Sequence, residues 1–338
     1  MLILFVRFKR IECGSYYSYL PDGCKICRRG AKLVLFITGI CKNSCFYCPI
    51  SDERRGRDVM YANEREVRRI EDALEEANTM DAEGIAITGG EPILKLERVL
   101  EYLRVFRDIH SHLYTSIPLK ERTIRRLADA GLDEIRFHPV ELRDPHRFLE
   151  PIRISKIMGL EVGIEIPALK FSEDIVELVN GCDVFLNLNE LEFSSTNYRE
   201  LVKRGYRPDD HYGCLNSAEI ADEYAKKVNK FHYCTARFKD RVQFRRRLIR
   251  MAKKMPEFYK ITSEGTVLCG FIQGRIERIR EILKKYNNQK FVEVDGGVET
   301  SVEFVEMWKD VLKREGFDVS VIERYPTSKR IVVEVIPL

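Results

Sequence analysis

The chain has 338 residues, of which 44% are hydrophobic and 33% charged. That is enough apolar material for a real core, and it excludes disorder as the main state. Lys and Arg number 57 against 53 Asp and Glu, a net charge of +4, too small to point to nucleic acid by itself. The length fits two domains, or one large barrel with an appendage.

The first residues, Met1–Val6, form an apolar run with no basic residue before it and no small-residue cleavage site after it; they read as a first strand rather than a leader. Other apolar stretches, such as Leu33–Cys41, fall far short of the roughly 18 residues of a membrane span. A cytoplasmic protein with no membrane partner is expected. Ten cysteines in a reducing compartment then call for metal rather than disulfides. Six of them, Cys13, Cys24, Cys27, Cys41, Cys45 and Cys48, precede residue 49.

From residue 32 short apolar runs alternate with helical stretches. Strands are predicted over Lys32–Thr38, Gly84–Thr88, Leu113–Ser116, Glu134–His138, Glu161–Ile166 and Val184–Leu188. Helices are predicted over Ala62–Met80, Lys95–Ile109, Lys120–Ala130, Pro145–Met158, Ser172–Val179 and Ser217–Lys230, the last with a capping box of Asn216 and Glu219. Six βα units imply a parallel α/β sheet, too short for a closed eight-stranded barrel. An open partial barrel and a doubly wound sheet both fit, and both gather ligands at the carboxyl ends of the strands.

The pattern changes after Phe231. Arg237–Lys254 is basic and helical, with Phe244, Leu248, Met251 and Met255 on one face. Beyond it strands are predicted over Tyr259–Thr262, Val267–Cys269, Phe291–Val294, Phe317–Ile322 and Arg330–Val335, and helices over Arg275–Tyr286 and Val302–Glu315. The expected division is an N-terminal segment 1–31, a barrel 32–235, a basic connecting helix 236–255 and a small α+β domain 256–338.

Gly39 to Pro49 directly follows the first predicted barrel strand and carries Cys41, Cys45 and Cys48, spaced C-x-x-x-C-x-x-C. Three such thiolates can hold three irons of a four-iron cluster and leave the fourth iron open. With an aromatic residue before the third cysteine, and with Gly89-Gly90-Glu91-Pro92 at the end of the second strand, the chain resembles the radical S-adenosylmethionine (SAM) superfamily over about residues 30 to 235. The resemblance implies a six-unit (β/α) partial barrel, a [4Fe–4S] cluster and SAM. It also implies reductive cleavage of SAM to a 5′-deoxyadenosyl radical that abstracts hydrogen from a substrate, and an electron donor of the ferredoxin or flavodoxin type. In that family the Gly-Gly-Glu-Pro segment binds the methionine amino group; glycines let the backbone approach, and carbonyls with a carboxylate accept from an ammonium. Further cofactor or substrate contacts are expected at strand ends: Tyr47 near the adenine, Thr115 and Ser116 on the third strand, His138, Glu165, and Asn187 with Asn189 and Glu190. Each also reads as an ordinary satisfied barrel residue.

A competing reading takes Cys24-x-x-Cys27 and Cys45-x-x-Cys48 as a zinc ribbon, a binding module rather than an enzyme. It leaves Cys41 and Gly89–Pro92 unexplained. Cys24, Cys27 and Cys234, with Cys13 or His232, are instead expected to converge on the floor of the barrel around a zinc or a second Fe–S cluster, or to bind no metal. Cys214 is expected to face the active site, and Cys182 and Cys269 to be buried small hydrophobes. Arg245, Arg246, Arg247 and Arg250 on the basic stretch are candidate RNA contacts, against the simpler reading of a solvated connector. Arg54, Arg55 and Arg57, diluted by Asp52, Glu53 and Asp58, add charge near the mouth. Within the superfamily the chain looks most like archaeal members related to glycyl-radical activating enzymes. Three substrate classes stay open: RNA, transfer RNA above all, resting on the basic stretch and the extra C-terminal domain; a peptide or protein, as in glycyl-radical activation; and a small molecule that is rearranged or methylated.

Overall fold

The structure is a computed structural model that describes residues 8–287 and 290–338. The strand expected over Met1–Val6 lies outside the described residues. Contacts divide the chain into two compact units, Met1–Asn78 with Ala82–Phe244, and Thr79–Asp81 with Arg245–Leu338.

In chain order the first unit holds β1 (Lys9–Arg10), β2 (Tyr16–Tyr17), α1 (Asp22–Arg28), β3 (Lys32–Phe36), β4 (Tyr61–Ala62), β5 (Arg65–Glu66) and α2 (Ile70–Thr79). Then follow β6 (Gly84–Thr88), α3 (Leu96–Val105), β7 (His110–Thr115), α4 (Glu121–Asp129), β8 (Glu134–Phe137), α5 (Leu149–Ile157), β9 (Glu161–Pro167) and α6 (Glu173–Gly181). It ends with β10 (Phe185–Asn189), α7 (Tyr198–Lys203), α8 (Ser217–Ala225), β11 (Phe231–Cys234), α9 (Ala236–Phe238) and a π-helical turn over Lys239–Phe244.

Its sheet runs β1-β2-β11-β10-β9-β8-β7-β6-β3-β4-β5. From β3 to β11 every neighbouring pair is parallel, and strand order follows chain order without reversal. A doubly wound sheet needs a reversal, so the open partial barrel is the architecture found. Antiparallel β4 flanks β3 and antiparallel β2 flanks β11, so the two ends of the parallel run do not meet. The carboxyl ends form the mouth and the amino ends the floor.

Local chemistry explains where the structure departs from the pattern. Among the described residues seven strands run parallel, one more than the pattern gave: Phe231–Cys234 is short and aromatic and carries His232, so it does not read as an apolar run, yet it pairs Leu186 with Phe231 through Asn189 with Cys234. The helix expected over Ala62–Met80 is a hairpin followed by a shorter helix. Asn63 turns at φ 52, Tyr61 pairs with Phe36, and the Asp72 carboxylate accepts the Arg68 and Arg69 N–H groups (2.9 Å each) where α2 begins. Asn216 makes no side-chain cap for α8.

The floor is plugged by α1. The Gly23 N–H donates to Glu134 Oε2 (2.9 Å) and the Asp22 N–H to Glu161 Oε2 (3.4 Å), carboxylates meeting the free N–H groups of a helix start. A Cβ on Gly23 would stand 2.5 Å from His112 Nδ1 and 2.7 Å from both Arg136 Nη2 and Glu134 Oε2. No side chain fits there.

The second unit contains α10 (Arg245–Ala252), β12 (Lys260–Ile261), β13 (Val267–Gln273), α11 (Ile276–Lys285), β14 (Phe291–Val294), β15 (Gly297–Thr300), α12 (Val302–Arg314), β16 (Asp318–Arg324) and β17 (Val332–Pro337). Its antiparallel sheet runs β14-β15-β13-β16-β17, with β12 on β13. Ile272, Val298, Val319 and Val321 pack with Ile279 and Leu283 of α11 and Val305 and Leu312 of α12 in one core. β15 was not anticipated, because Gly297-Val298-Glu299-Thr300 buries a glutamate. Glu299 accepts from Arg330 and Tyr259 and pairs with Arg324 (2.7 Å).

Gly23→Ala is predicted to destabilise the first unit by about 1–3 kcal/mol, the usual cost of overpacking a filled site. Urea unfolding of the variant against the parent checks it; equal midpoints would contradict the plug.

Candidate active site at the barrel mouth

The loop after β3 carries the three clustered cysteines, and its root is held backbone to backbone. The Gly90 N–H donates to Thr38 O (2.7 Å) and the Glu91 N–H to Ile40 O (2.8 Å). Gly89 sits at φ 152, and a Cβ there would lie 2.5 Å from Thr38 O; one on Gly90 would lie 2.5 Å from Ile40 O. The glycine pair is therefore required by the cysteine loop itself, a role that approach to a ligand alone did not reveal.

The Glu91 carboxylate is 2% exposed and accepts from Thr115 Oγ1 (2.8 Å), Ser116 N (2.8 Å), Ser116 Oγ (2.6 Å) and Ile93 N (3.3 Å). A carboxylate has about four acceptor positions, so these internal donors use them all. Glu91 thus ties the end of β6 to the end of β7. Thr115 and Ser116, expected as contacts to a cofactor, are its partners. Asn43 Nδ2 donates to Ser116 Oγ (2.8 Å), which joins the cysteine loop to the same cluster.

A second clamp comes from the segment between β10 and α8. Asn197 is 1% exposed; its Nδ2 donates to Tyr47 O (3.0 Å) and Glu192 O (2.9 Å), and its Oδ1 accepts from Ser194 N (2.8 Å). Nothing in the sequence pattern marks Asn197, because this segment has no periodicity.

Cys41, Cys45, Cys48, Tyr47, Gly89 to Pro92, Thr115, Ser116, His138, Glu165, Asn187, Asn189 and Glu190 all line one cavity of about 670 Å3. The Tyr47 hydroxyl lies 2.9 Å from His138 Nε2, and His138 Nδ1 lies 2.8 Å from Glu165 O. The Tyr47 ring also packs with Leu169, Leu191, Phe193, Leu201 and Cys214. Cys214 belongs to that apolar cluster and is absent from the cavity wall among the described residues, contrary to expectation. Glu165 accepts from Arg136 (2.5 Å), Asn187 (2.7 Å) and Asn189 (2.8 Å); Glu190 accepts from the Ala236 N–H (2.6 Å).

The cavity continues inward past Arg136, Gln243 and Lys239 to Cys24, Cys27, His232 and Cys234. His232 and Cys234 lie on β11, in the barrel wall, not beyond a helix on the floor as expected. Cys13 packs against the cluster of Cys234, Phe238 and Val242 but does not line the cavity with the other four. Among the described residues no three ligand atoms of this cysteine–histidine set lie within 4.8 Å of one another; His110, His112 and Glu134 do. Lys32 stands 3.0 Å from His110 Nδ1 and Arg136 pairs with Glu134, so two cations already occupy that place. Cys269 is fully buried, while Cys182 is half-exposed.

The basic stretch is not an open row of cations. Arg237 pairs with Asp210, Lys239 with Glu192 (2.5 Å) and Lys254 with Asp81 (2.7 Å). Arg245 donates to Ser263 O, Arg250 to Met80 O (2.8 Å), and Arg247 is buried.

Burial holds His138 below the ordinary histidine range, and burial with Arg136 and Lys32 nearby holds His112 well below it. The unfolded chain takes up these protons first, so stability is present above about pH 6.5 and is lost as the pH falls below it. Urea unfolding between about pH 7 and pH 5, above the carboxylate range, is predicted to show a falling unfolding free energy; a flat or rising profile would contradict neutral burial. Asn197→Ala is predicted to cost about 1–3 kcal/mol through the two carbonyls and one N–H it strands, read as a lowered melting temperature.

Comparison with known proteins accords with this geometry. Residues 35–157 match the Radical SAM superfamily, and residues 265–338 match a domain of unknown function, DUF8061. A Methanocaldococcus jannaschii protein provisionally named a glycyl-radical enzyme activating enzyme is 38% identical, covering 95% of this chain and 94% of its own. Among solved structures, Streptococcus suis SuiB bound to S-adenosylmethionine is 14% identical over 61% of this chain at a TM-score of 0.43. SuiB bound to its precursor peptide SuiA gives 0.41 with the same identity and coverage. The chain spans about half the length of SuiB, 50% and 48% in the two structures. No described helix is long and apolar enough to cross a membrane. With a relative of that identity aligned along nearly its whole length, the chain belongs to the radical SAM superfamily, enzymes that work through an iron–sulfur cluster and S-adenosylmethionine.

Proposed function

We propose that Cys41, Cys45 and Cys48 are the ligands of a [4Fe–4S] cluster at the barrel mouth, and that the enzyme takes a hydrogen atom from a protein substrate, as in glycyl-radical activation. The carrying observation is that these three thiols and the Gly89–Pro92 turn line one cavity at the carboxyl ends of parallel strands. The donor set fits. Three cysteines leave one iron for the cofactor, and the loop that bears them is fixed by Gly89–Glu91 on one side and Asn197 on the other. When bound, the reduced cluster and SAM supply a 5′-deoxyadenosyl radical.

The protein's own groups bind, orient and shield. The Gly89–Gly90 backbone presents the methionine end of the site, and Glu91 holds that turn against Thr115 and Ser116. Tyr47, kept in place by His138, forms a side wall. Glu165 and Asn187 make the wall polar further in. The electron comes from a ferredoxin- or flavodoxin-type protein. A protein substrate is supported by the relative's name and by its alignment through both units. The candidate RNA contacts are engaged within the protein, which disfavours RNA.

Replacing Cys41, Cys45 and Cys48 together with Ala is predicted to abolish 5′-deoxyadenosine formation by reconstituted, dithionite-reduced protein. Formation at the parent rate would overturn the ligand assignment. Glu91→Ala is predicted to keep the iron but weaken SAM binding by loosening the Gly89–Gly90 turn from Thr115 and Ser116, measured by equilibrium dialysis. For the substrate, the reduced enzyme with SAM is added to anaerobic extract of a deletion strain. A glycyl-radical EPR doublet is expected; a modified transfer-RNA nucleoside missing from that strain, with no doublet, would replace the protein reading by RNA.

A further inference from the structure

Four side chains of the barrel interior have no part in the site just described. Cys24 and Cys27 lie three residues apart on α1, and His232 and Cys234 two apart on β11, so each pair points one way from its element. All four line the cavity. Two amide side chains draw them together. Asn187 Oδ1 accepts from the Cys24 thiol (3.8 Å) and from His232 Nδ1. Gln243 takes the Cys27 thiol on its Oε1 (3.2 Å) and donates from Nε2 to Cys234 Sγ (3.7 Å).

His232 is 2% exposed, and its Nε2 has no hydrogen-bond partner. A buried polar atom left unpaired is unfavourable, so such an atom points to a partner. An imidazole with Nδ1 engaged offers Nε2 as a metal ligand. Arg136 Nη2 stands 3.4 Å from Cys24 Sγ.

We infer that Cys24, Cys27, His232 and Cys234 hold a second iron–sulfur cluster inside the barrel. Spacing separates this from zinc. A zinc ion holds sulfur at about 2.3 Å and nitrogen at about 2.0–2.1 Å, so its ligands lie within about 4.6 Å of one another. No three of these four ligand atoms lie within 4.8 Å of one another. A cluster gives each ligand a different iron and needs the wider spacing. The mouth thiols Cys41, Cys45 and Cys48 likewise do not all lie within 4.8 Å of one another.

The test is iron and zinc analysis of the full chain after anaerobic reconstitution with iron and sulfide. The parent is expected to carry about eight irons, two four-iron clusters. The Cys41→Ala/Cys45→Ala/Cys48→Ala variant keeps about four of them and a cluster absorbance band. Cys24→Ala/Cys27→Ala/Cys234→Ala keeps about four, with circular dichroism confirming the fold. If the interior variant does not fold, the mouth variant decides alone. No iron in the mouth variant, or one zinc per chain in the parent, overturns this inference and leaves the mouth assignment standing. A mouth variant that keeps all its iron overturns the mouth assignment instead.

Discussion

A buried guanidinium organises the interior of this barrel. Arg136 is 2% exposed and pairs with Glu134, fully buried, and with Glu165. Taking these charges out of water costs several kcal/mol per ion, and only close pairing with every lone pair satisfied offsets it. The neighbours are drawn in accordingly. Glu134 takes the Gly23 N–H of the plug helix, Glu165 takes the amides of Asn187 and Asn189, and the guanidinium reaches the Tyr114 hydroxyl (3.3 Å) and the Cys24 thiol. Floor plug and walls are thus one network. A closed eight-stranded barrel fills this space with layers of branched apolar side chains; here charge and amides line it, and a cavity remains.

The mouth is built on the opposite principle, with backbone against backbone. Two glycines let the turn after β6 lie on the root of the cysteine loop, and the buried Glu91 carboxylate gathers the donors of β7 around that contact. Rotamers play little part in such a contact, so the loop is held without side-chain entropy being spent on it. Asn197 adds a second hold from the far side of the sheet. A site fixed from several strands is preorganised in the way that chemistry in a dry cavity requires.

The second unit has its own core and its own buried acid. Glu299 gathers Arg324, Arg330 and Tyr259 within the sheet and its approach segment. The same habit, a buried carboxylate satisfied by arginine, appears in both units.

Periodicity and spacing alone determined a good deal. The alternating βα runs, the C-x-x-x-C-x-x-C loop after one strand and the Gly-Gly-Glu-Pro turn after the next are local patterns, so the parallel sheet and its candidate mouth were legible. Glu134 and Arg136 two apart in a strand were a readable sign of a polar interior, since a buried parallel strand is ordinarily apolar throughout. Tertiary structure decided what local pattern does not encode. The seventh strand exists because β10 offers a free edge to Phe231–Cys234, and the hairpin at Tyr61–Glu66 exists because β3 offers another. Charge balance gave Arg237, Lys239 and Lys254 carboxylate partners, and Arg245 and Arg250 carbonyl partners, elsewhere in the chain. Asn197, Gln243 and Asn187 acquired their roles only when the fold carried groups far apart in the chain to hydrogen-bonding distance, and a hydrogen bond has no signature until both of its partners are in place.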